Sequence, residues 1–158
     1  VFSMLKDLLI SEAKEIDAKF LWELRNEYSI RLMSKRSEII DWETHKEWFL
    51  NALRNDDANI YVAFLKNEPV AMVRYDLSKN FKKSFEISIA VKTKFQGIGI
   101  AKKLLQESMK LLARKVNKDC QIISIVKKIN SRSIRFFENS GFVLINQSKE
   151  LFYYSLKI

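Results

Sequence analysis

The rhythm of apolar and polar positions changes near the middle of this 158-residue chain. Early on the spacing is helical. After a short opening strand near Met4 to Ile10, Ala13, Ile16, Phe20 and Leu24 fall at i, i+3, i+7 and i+11, which predicts one buried helix face. Asp41 reads as the N-cap of a second helix, with Trp42, His45, Phe49, Ala52 and Leu53 as its apolar stripe and Asn55-Asp56-Asp57 as its stop. Strand signals then take over. Ile60 to Leu65 is an almost unbroken apolar run, Lys66-Asn67-Glu68 is a tight turn, and Pro69 admits the chain into a strand from Val70 to Leu77. In the next strand Phe85, Ile87, Ile89 and Val91 alternate with Ser84, Glu86, Ser88 and Ala90. One of its faces is greasy; the other carries small groups and a single carboxylate.

A glycine-containing turn leads into a helix from about Ile98 to Lys115, whose predicted stripe is Ala101, Leu104, Leu105, Ser108 and Leu112. Gln121 to Val126 is a further strand. Asn130 caps a short helix that ends at Gly141, where a residue without a Cβ suits the left-handed position. Phe142 to Ile145 and Leu151 to Leu156 close the chain as two antiparallel strands. Helices first, a β-meander next and then β-α-β-α-β-β predict an α+β (mixed α/β) fold, one mixed sheet of about six to seven strands with helices on both faces. No Gly/Ser/Pro-rich linker or repeat interrupts it, so residues 1–158 read as a single domain.

Composition narrows the class. At 47% hydrophobic residues the chain can fill a core, which excludes disorder. One cysteine rules out an internal disulfide framework and favours a reducing, cytoplasmic setting. No apolar stretch reaches the roughly 18 residues of a membrane span, so no membrane partner is expected. The segment from Val1 to Ile10 has no basic stretch followed by a long apolar one, so a secretory signal is not expected there. Valine at position 1 fits a trimmed chain or a piece of a longer protein. Lys and Arg number 28 against 19 Asp and Glu, a net charge of +9 that attracts anions without naming one. The basic residues are scattered with no run of five, so no nucleic-acid-binding arm is expected. No His/Cys/Asp grouping has metal-ligand spacing, and no metal is expected.

The sharpest local signal is Gln96-Gly97-Ile98-Gly99-Ile100-Ala101, between the alternating strand and the longest helix. Glycines allow a tight strand-to-helix turn and a close approach to the main chain, and the first-turn N–H groups with the helix dipole bind phosphate. The segment lacks the third glycine of a dinucleotide fingerprint and the Gly-Lys-Ser/Thr of a P-loop. By itself it is either a phosphate cradle or a plain connecting turn.

Context separates the two. Glu86-Ile87-Ser88-Ile89-Ala90-Val91, the Gln96 to Ala101 run, and Asn130-x-x-Ser133-Ile134-x-Phe136-Phe137-Glu138-x-x-Gly141-Phe142, in this order, resemble the GNAT superfamily of acetyl-CoA-dependent N-acetyltransferases. The resemblance implies a GNAT-like fold and acetyl-CoA as co-substrate. It implies that main-chain groups of Ile89, Ala90 and Val91 pair with the pantetheine arm like an added strand. Gln96, Gly97, Ile98, Gly99, Ile100 and Ala101 would cradle the pyrophosphate, and Asn130 and Phe137 would line the other side of the arm. Lys94, Lys102 and Lys103 would suit the remaining phosphate or simply be solvated. The implied reaction is direct attack of an amine on the thioester, which needs a base for the amine's proton. Glu86, the only carboxylate on the polar face of its strand, is that base or else the partner of a basic residue on a neighbouring strand. Many members carry a tyrosine where this chain has Phe137, so either the thiolate leaves without help or a water or another hydroxyl protonates it, with Tyr61, Tyr75, Tyr153 and Tyr154 as sources. Cys120 is expected to be a buried, inert thiol rather than an acyl carrier.

For the acceptor, Leu24-Arg25-Asn26-Glu27, Trp42-Glu43-x-His45-x-x-Trp48-Phe49 and Val73-Arg74-x-Asp76 resemble the branch that acetylates nucleotide-linked amino sugars for pseudaminic acid. A Leu-Arg-Asn-type segment also occurs in ribosomal-protein N-terminal acetyltransferases. Arg25 and Arg74 would hold phosphates, with Asn26 and His45 beside them, while His45 on the apolar stripe also fits a purely structural role. Three functions follow: a small-molecule amine acetyltransferase acting on a sugar nucleotide, an acetyltransferase of protein N-termini or polyamines, and a non-catalytic acyl-CoA-binding module. The family also admits a homodimer.

Overall fold

The computed structural model describes residues 2–55, 58–116 and 119–158, so Val1 and the predicted helix stop at Asp56 and Asp57 lie outside the described residues. The chain runs α1 (Phe2–Lys6), β1 (Leu8–Glu12), α2 (Ala18–Asn26), α3 (Tyr28–Met33), α4 (Trp42–Leu53), β2 (Ala58–Leu65), β3 (Glu68–Leu77), β4 (Ser84–Val91), α5 (Ile100–Val116), β5 (Gln121–Lys127), α6 (Ser131–Asn139), β6 (Val143–Gln147) and β7 (Leu151–Lys157). The seven strands form one sheet in the order β1-β2-β3-β4-β5-β7-β6. All neighbours are antiparallel except β4 and β5, which run parallel.

Side-chain alternation divides the core in two. Tyr61, Ala63, Val73, Tyr75, Phe85, Ile87 and Val91 face α5 and α6, where they bury Leu104, Leu105, Leu112 and Phe137. Ile60, Val62, Met72 and Ala90 face α2 and α4, against Phe20, Leu24 and Phe49. Glu86 and Ser88 share that second face, because they stand opposite Asp76 and Arg74 on β3. The sheet with helices on both faces is therefore as the periodicity predicts.

Several boundaries differ for local reasons. The opening strand starts only at Leu8, because residues 2–6 coil into α1. Short apolar runs carry no helix-or-strand preference of their own. Ile16 does not join the buried helix face. It sits on a 3-10 turn over Glu15–Asp17 and is 87% exposed, while Ala13 gives its N–H to the Ile60 carbonyl beside β2. α4 forms as predicted, with Asp41 accepting from the Thr44 N–H at 3.1 Å. α5 begins two residues later than Ile98, since Gly97 (φ +82°) and Gly99 (φ +93°) hold left-handed conformations that no helix accommodates. Ile100 then takes the buried place predicted for Ala101, which is half-buried. Asn130 caps α6 through Ser133 N–H, and Gly141 ends it at φ +91°.

Candidate active site

The parallel pair β4 and β5 is joined only over Ser84–Glu86 and Gln121–Ile123. Beyond Glu86 the strands part, and a cleft of about 1270 Å³ opens between Ile87–Val91 and Ser124–Val126. The direction of the free main-chain groups follows from the β3–β4 register. Lys92 N–H binds the Val70 carbonyl at 2.8 Å, and residues whose numbers sum to the same value pair across the two strands. Hydrogen-bonded pairs alternate along an antiparallel ladder, so Ala90 and Ser88 turn their N–H and C=O groups to β3 while Ile87, Ile89 and Val91 turn theirs to the cleft. The Val91 carbonyl accepts from Gln96 Nε2 at 3.0 Å on that side. Ala90 thus lines the cleft with its side chain and not with main-chain hydrogen bonds, a correction to the expected three-residue pairing.

The glycine turn closes one end. The Gln96 side chain spans it, donating to Val91 and accepting from Arg132 Nη1 on α6. The first intrahelical bond of α5 runs from Lys103 N–H to the Gly99 carbonyl at 3.2 Å, so the N–H groups of Ile100, Ala101 and Lys102 have no carbonyl inside the helix to bind. Gln96, Gly97, Gly99, Ile100, Ala101 and Lys102 all line the cleft. Ile98 does not, because its side chain packs into the α5 core. Of the three lysines suited to a phosphate, Lys102 alone borders the cleft. Lys94 pairs with Glu68 at 2.9 Å, and Lys103 donates to the Leu5 carbonyl. Asn130 and Phe137 line the opposite wall, with Phe137 edge-on to Phe136 and Phe142 at 5.1 and 5.0 Å.

At the other end Arg25, His45, Trp48, Arg74 and Glu86 line the same cavity. Arg25 Nη2 donates to the Arg36 carbonyl at 2.7 Å, whereas its Nη1 is buried without a partner among the described residues. Burial, with the nearby Arg74 charge behind it, pulls Arg25 below its ordinary pKa. Arg74 Nε binds Asp76 at 2.7 Å, and its guanidinium lies over the Trp48 ring at 4.9 Å. Two neighbouring guanidiniums, one with a buried idle donor, fit an anion. Asn26 stays out of the cleft. It clips the loop at Ile40 by donating from Nδ2 at 2.9 Å and accepting the Ile40 N–H at 3.0 Å. His45 is 4% exposed and gives Nε2–H to the Ala18 carbonyl at 2.9 Å; burial lowers its pKa. It pins α4 to α2 while one edge reaches the cleft.

Glu86 pairs with Lys35 and not with a residue of a neighbouring strand. Lys35 stands in the loop after α3, between residues whose backbone is tied down, and Ser34, Lys35 and Arg36 all line the cleft. None of the four tyrosines expected to supply the thiolate's proton lines it. Tyr75 shares a 2.7 Å bond with Ser108 in the core, and Tyr61 is buried against it. Tyr154 donates to Glu138 at 2.8 Å, and burial helps push its pKa up to about 12. The hydroxyls that border the cleft are those of Tyr28, Ser29, Ser34, Thr44, Ser88, Ser124, Ser131 and Ser133. Cys120 is buried, and that burial raises its thiol pKa. Among the described residues no group of three His, Cys, Asp or Glu side chains could hold a metal, and no helix is long and apolar enough to cross a membrane.

Lys35, Arg132 and Tyr28 went unseen in the sequence. Each is a surface-type residue that acquires its place only when separate segments meet. Arg132, two positions past the Asn130 cap in the matched segment, was the one with a positional cue.

Known proteins share this fold. The sequence profile of the Acetyltransferase (GNAT) family matches residues 18–142. No curated protein sequence matches the chain. Among solved structures, a ribosomal-protein-alanine N-acetyltransferase from Brucella melitensis is 23% identical with a TM-score of 0.79, covering 95% of this chain and 99% of that one. The protein yncA of Salmonella typhimurium, solved with its cofactor acetyl-CoA, is 19% identical at a TM-score of 0.78, with coverage of 96% and 94%. A variant of the spermidine N-acetyltransferase of Vibrio cholerae is 16% identical at a TM-score of 0.80, again covering 96% and 94%. At these identities the likeness is one of fold. With the profile spanning most of the sequence, the chain belongs to the GNAT family of acetyltransferases, enzymes whose acyl donor is acetyl-CoA.

Proposed function

We propose that residues 1–158 form one catalytic domain that moves the acetyl group of acetyl-CoA directly onto a primary amine carried by an anionic small molecule, such as an amino-sugar nucleotide. A single observation supports this most strongly. The cleft joins, in one cavity, the main-chain edge at Ile89 and the Val91 N–H, the bare first turn of α5, the Glu86 carboxylate and the Arg25–Arg74 pair. Ile89 and Val91 would hold the pantetheine arm by added-strand bonding, and the amides from Gly99 to Lys102 would hold the pyrophosphate. Asn130 and Phe137 would flank the arm. The thioester supplies an activated acyl carbon. Glu86 takes a proton from the acceptor ammonium and frees its lone pair, the neutral amine then forms the C–N bond and gives up its second proton as the C–S bond breaks, and the departing thiolate takes one proton from water or a cleft hydroxyl. Cys120 lies in the core, which disfavours an acyl-enzyme.

The acceptor reading rests on charge. Arg25, Lys35, Arg36 and Arg74 border its end of the cavity, and among the described residues Glu86 is the only acidic side chain lining it, with Asp76 held by Arg74 beside it. A polycation would meet repulsion there, and a diphosphate would find the buried Nη1 of Arg25.

Two measurements test the proposal. Acetyl-CoA at a hundred times its Kd should stabilise the fold by ~2.7 kcal/mol in a thermal-shift assay. Free thiol release should then be fastest with amino-sugar nucleotides and slower with N-terminal peptides or spermidine. No stabilisation by acetyl-CoA overturns the enzyme reading; preference for spermidine overturns the anionic acceptor alone.

A further inference from the structure

The Lys35–Glu86 contact places a primary amine of the protein itself on the carboxylate read above as the base. Lys35 is no stray surface lysine. The loop that carries it is fixed on both sides of the residue. Ser34 donates its N–H and its hydroxyl to the Ile30 carbonyl, at 3.1 and 2.7 Å, and Arg36 accepts from Arg25 Nη2. Further along, Arg31 Nη1 holds the Ser37 carbonyl at 3.0 Å, while Trp22 Nε1 and Asn26 hold Ile40. The helix α3 before it is tied to both banks of the cleft. Glu27 accepts from Thr93 N–H and hydroxyl next to β4, and Lys127 of β5 donates to the Leu32 carbonyl at 3.2 Å. What remains free is the lysine stem, four methylenes whose tip ends in the cavity.

We propose that Lys35 is an acetylation site of the enzyme's own, modified in cis by acetyl-CoA when no acceptor is bound. The inference rests on the functional reading above, since it uses the same donor and the same base. In the step the C–S bond of the thioester breaks and an amide bond forms between the acetyl carbon and Lys35 Nζ. The ammonium loses two protons, one through Glu86 before attack and one after, and the thiolate takes up one, so one proton is released overall. Glu86 lies three residues before Ile89 on the same strand, about 10 Å along it. A flexible lysine stem spans much of such a gap. The acetylated side chain is neutral, so the pair with Glu86 is lost and the acceptor end of the cleft has one cation fewer.

Purified protein is incubated with acetyl-CoA and no acceptor, and acetyl groups are located by peptide mass spectrometry. Lys35 should gain its acetyl group at least tenfold faster than any other lysine, at a rate independent of protein concentration, and bound anionic acceptor should protect it. Glu86→Gln supplies a readout of opposite signs. Trace labelling with acetic anhydride, which needs neither donor site nor catalysis, should mark Lys35 faster in the variant because its counter-charge is gone. Transfer from acetyl-CoA to Lys35 should fall at least tenfold in the same variant. If Glu86→Gln raises both, Lys35 is only an accessible nucleophile and the proposal is overturned. It is overturned alone if the protein acetylates an added amine while Lys35 stays unmodified, and together with the functional reading if acetyl-CoA leaves the fold unstabilised.

Discussion

At the scale of single residues, the cleft sorts side chains by what else they must do. Among the described residues Glu86 is the one carboxylate in the cavity lining, on a strand whose neighbours fix its direction, and its only partner is a movable lysine. Glutamine at this position keeps the shape and can still accept from Lys35, but it cannot take a proton. Glu86→Gln should therefore lower kcat about 10²-fold or more with acetyl-CoA affinity nearly unchanged, measured by steady-state kinetics alongside calorimetric binding. An unchanged kcat would remove Glu86 from the mechanism. The strand period made Glu86 legible in the sequence, because period two allows one polar face and that face holds one acid. The apolar stripe allowed His45 a structural role, but neither its partner nor that of Asn26 was legible in the same way. Their jobs depend on carbonyls 14 and 27 residues distant, Ile40 and Ala18, and no local spacing encodes such partners. Lys35 is the extreme case: its partner lies 51 positions away.

At the scale of elements, those with a buried stripe were readable and those facing the ligand space were not. α4 and α5 each bury a periodic face, as do the alternating strands, and all were predicted within a few residues. α3 has no buried residue at all. Tyr28, Leu32 and Met33 point at the cavity instead of a core, so its apolar residues give no stripe for periodicity to find. The parting of β4 from β5 is equally silent in sequence, since it is a property of the register between strands whose paired residues lie 37 positions apart. The glycine turn, by contrast, was legible because two backbone conformations there exclude other residues. Gly99 has φ +93°, and a Cβ there would stand 3.2 Å from Leu5 Cδ1. Gly99→Ala should cost about 1–2 kcal/mol of stability from the left-handed strain and shift the first turn of α5. It should also weaken acetyl-CoA binding by roughly tenfold, ~1.4 kcal/mol. Gly141→Ala is the control. It is strained alike at φ +91° but lies outside the cleft lining, so it should lower Tm while leaving the Kd for acetyl-CoA unchanged.

At the scale of the whole molecule, a net charge of +9 acquires direction only through the fold. The lysines that looked interchangeable along the chain divide once it closes. Lys92 and Lys94 pair with Glu68, Lys110 with Glu107, and Lys19 sits near Glu23, while Arg25, Lys35, Arg36 and Arg74 converge on one end of one cavity, where Glu86 and Asp76 offset two of the four charges. Such a group attracts anions over distances comparable to the Debye length, about 10 Å at 0.1 M salt and 3 Å at 1 M. Raising salt from 0.05 to 0.5 M should thus lower kcat/KM for an anionic amino-sugar nucleotide several-fold, mostly through KM, because encounter and phosphate binding are screened while the chemistry is not. The same titration with a neutral amino sugar lacking the nucleotide should be nearly flat, and with spermidine kcat/KM should rise as repulsion is screened. Binding of acetyl-CoA, itself anionic, must be held saturating throughout so that the slope reports the acceptor. Arg25→Gln removes one of the converging charges and the buried donor together, so it should raise the KM of the anionic acceptor about tenfold and make the remaining salt slope shallower. A slope equally steep for the neutral sugar would assign the screening to the donor end of the cleft, and the anionic acceptor would lose its support.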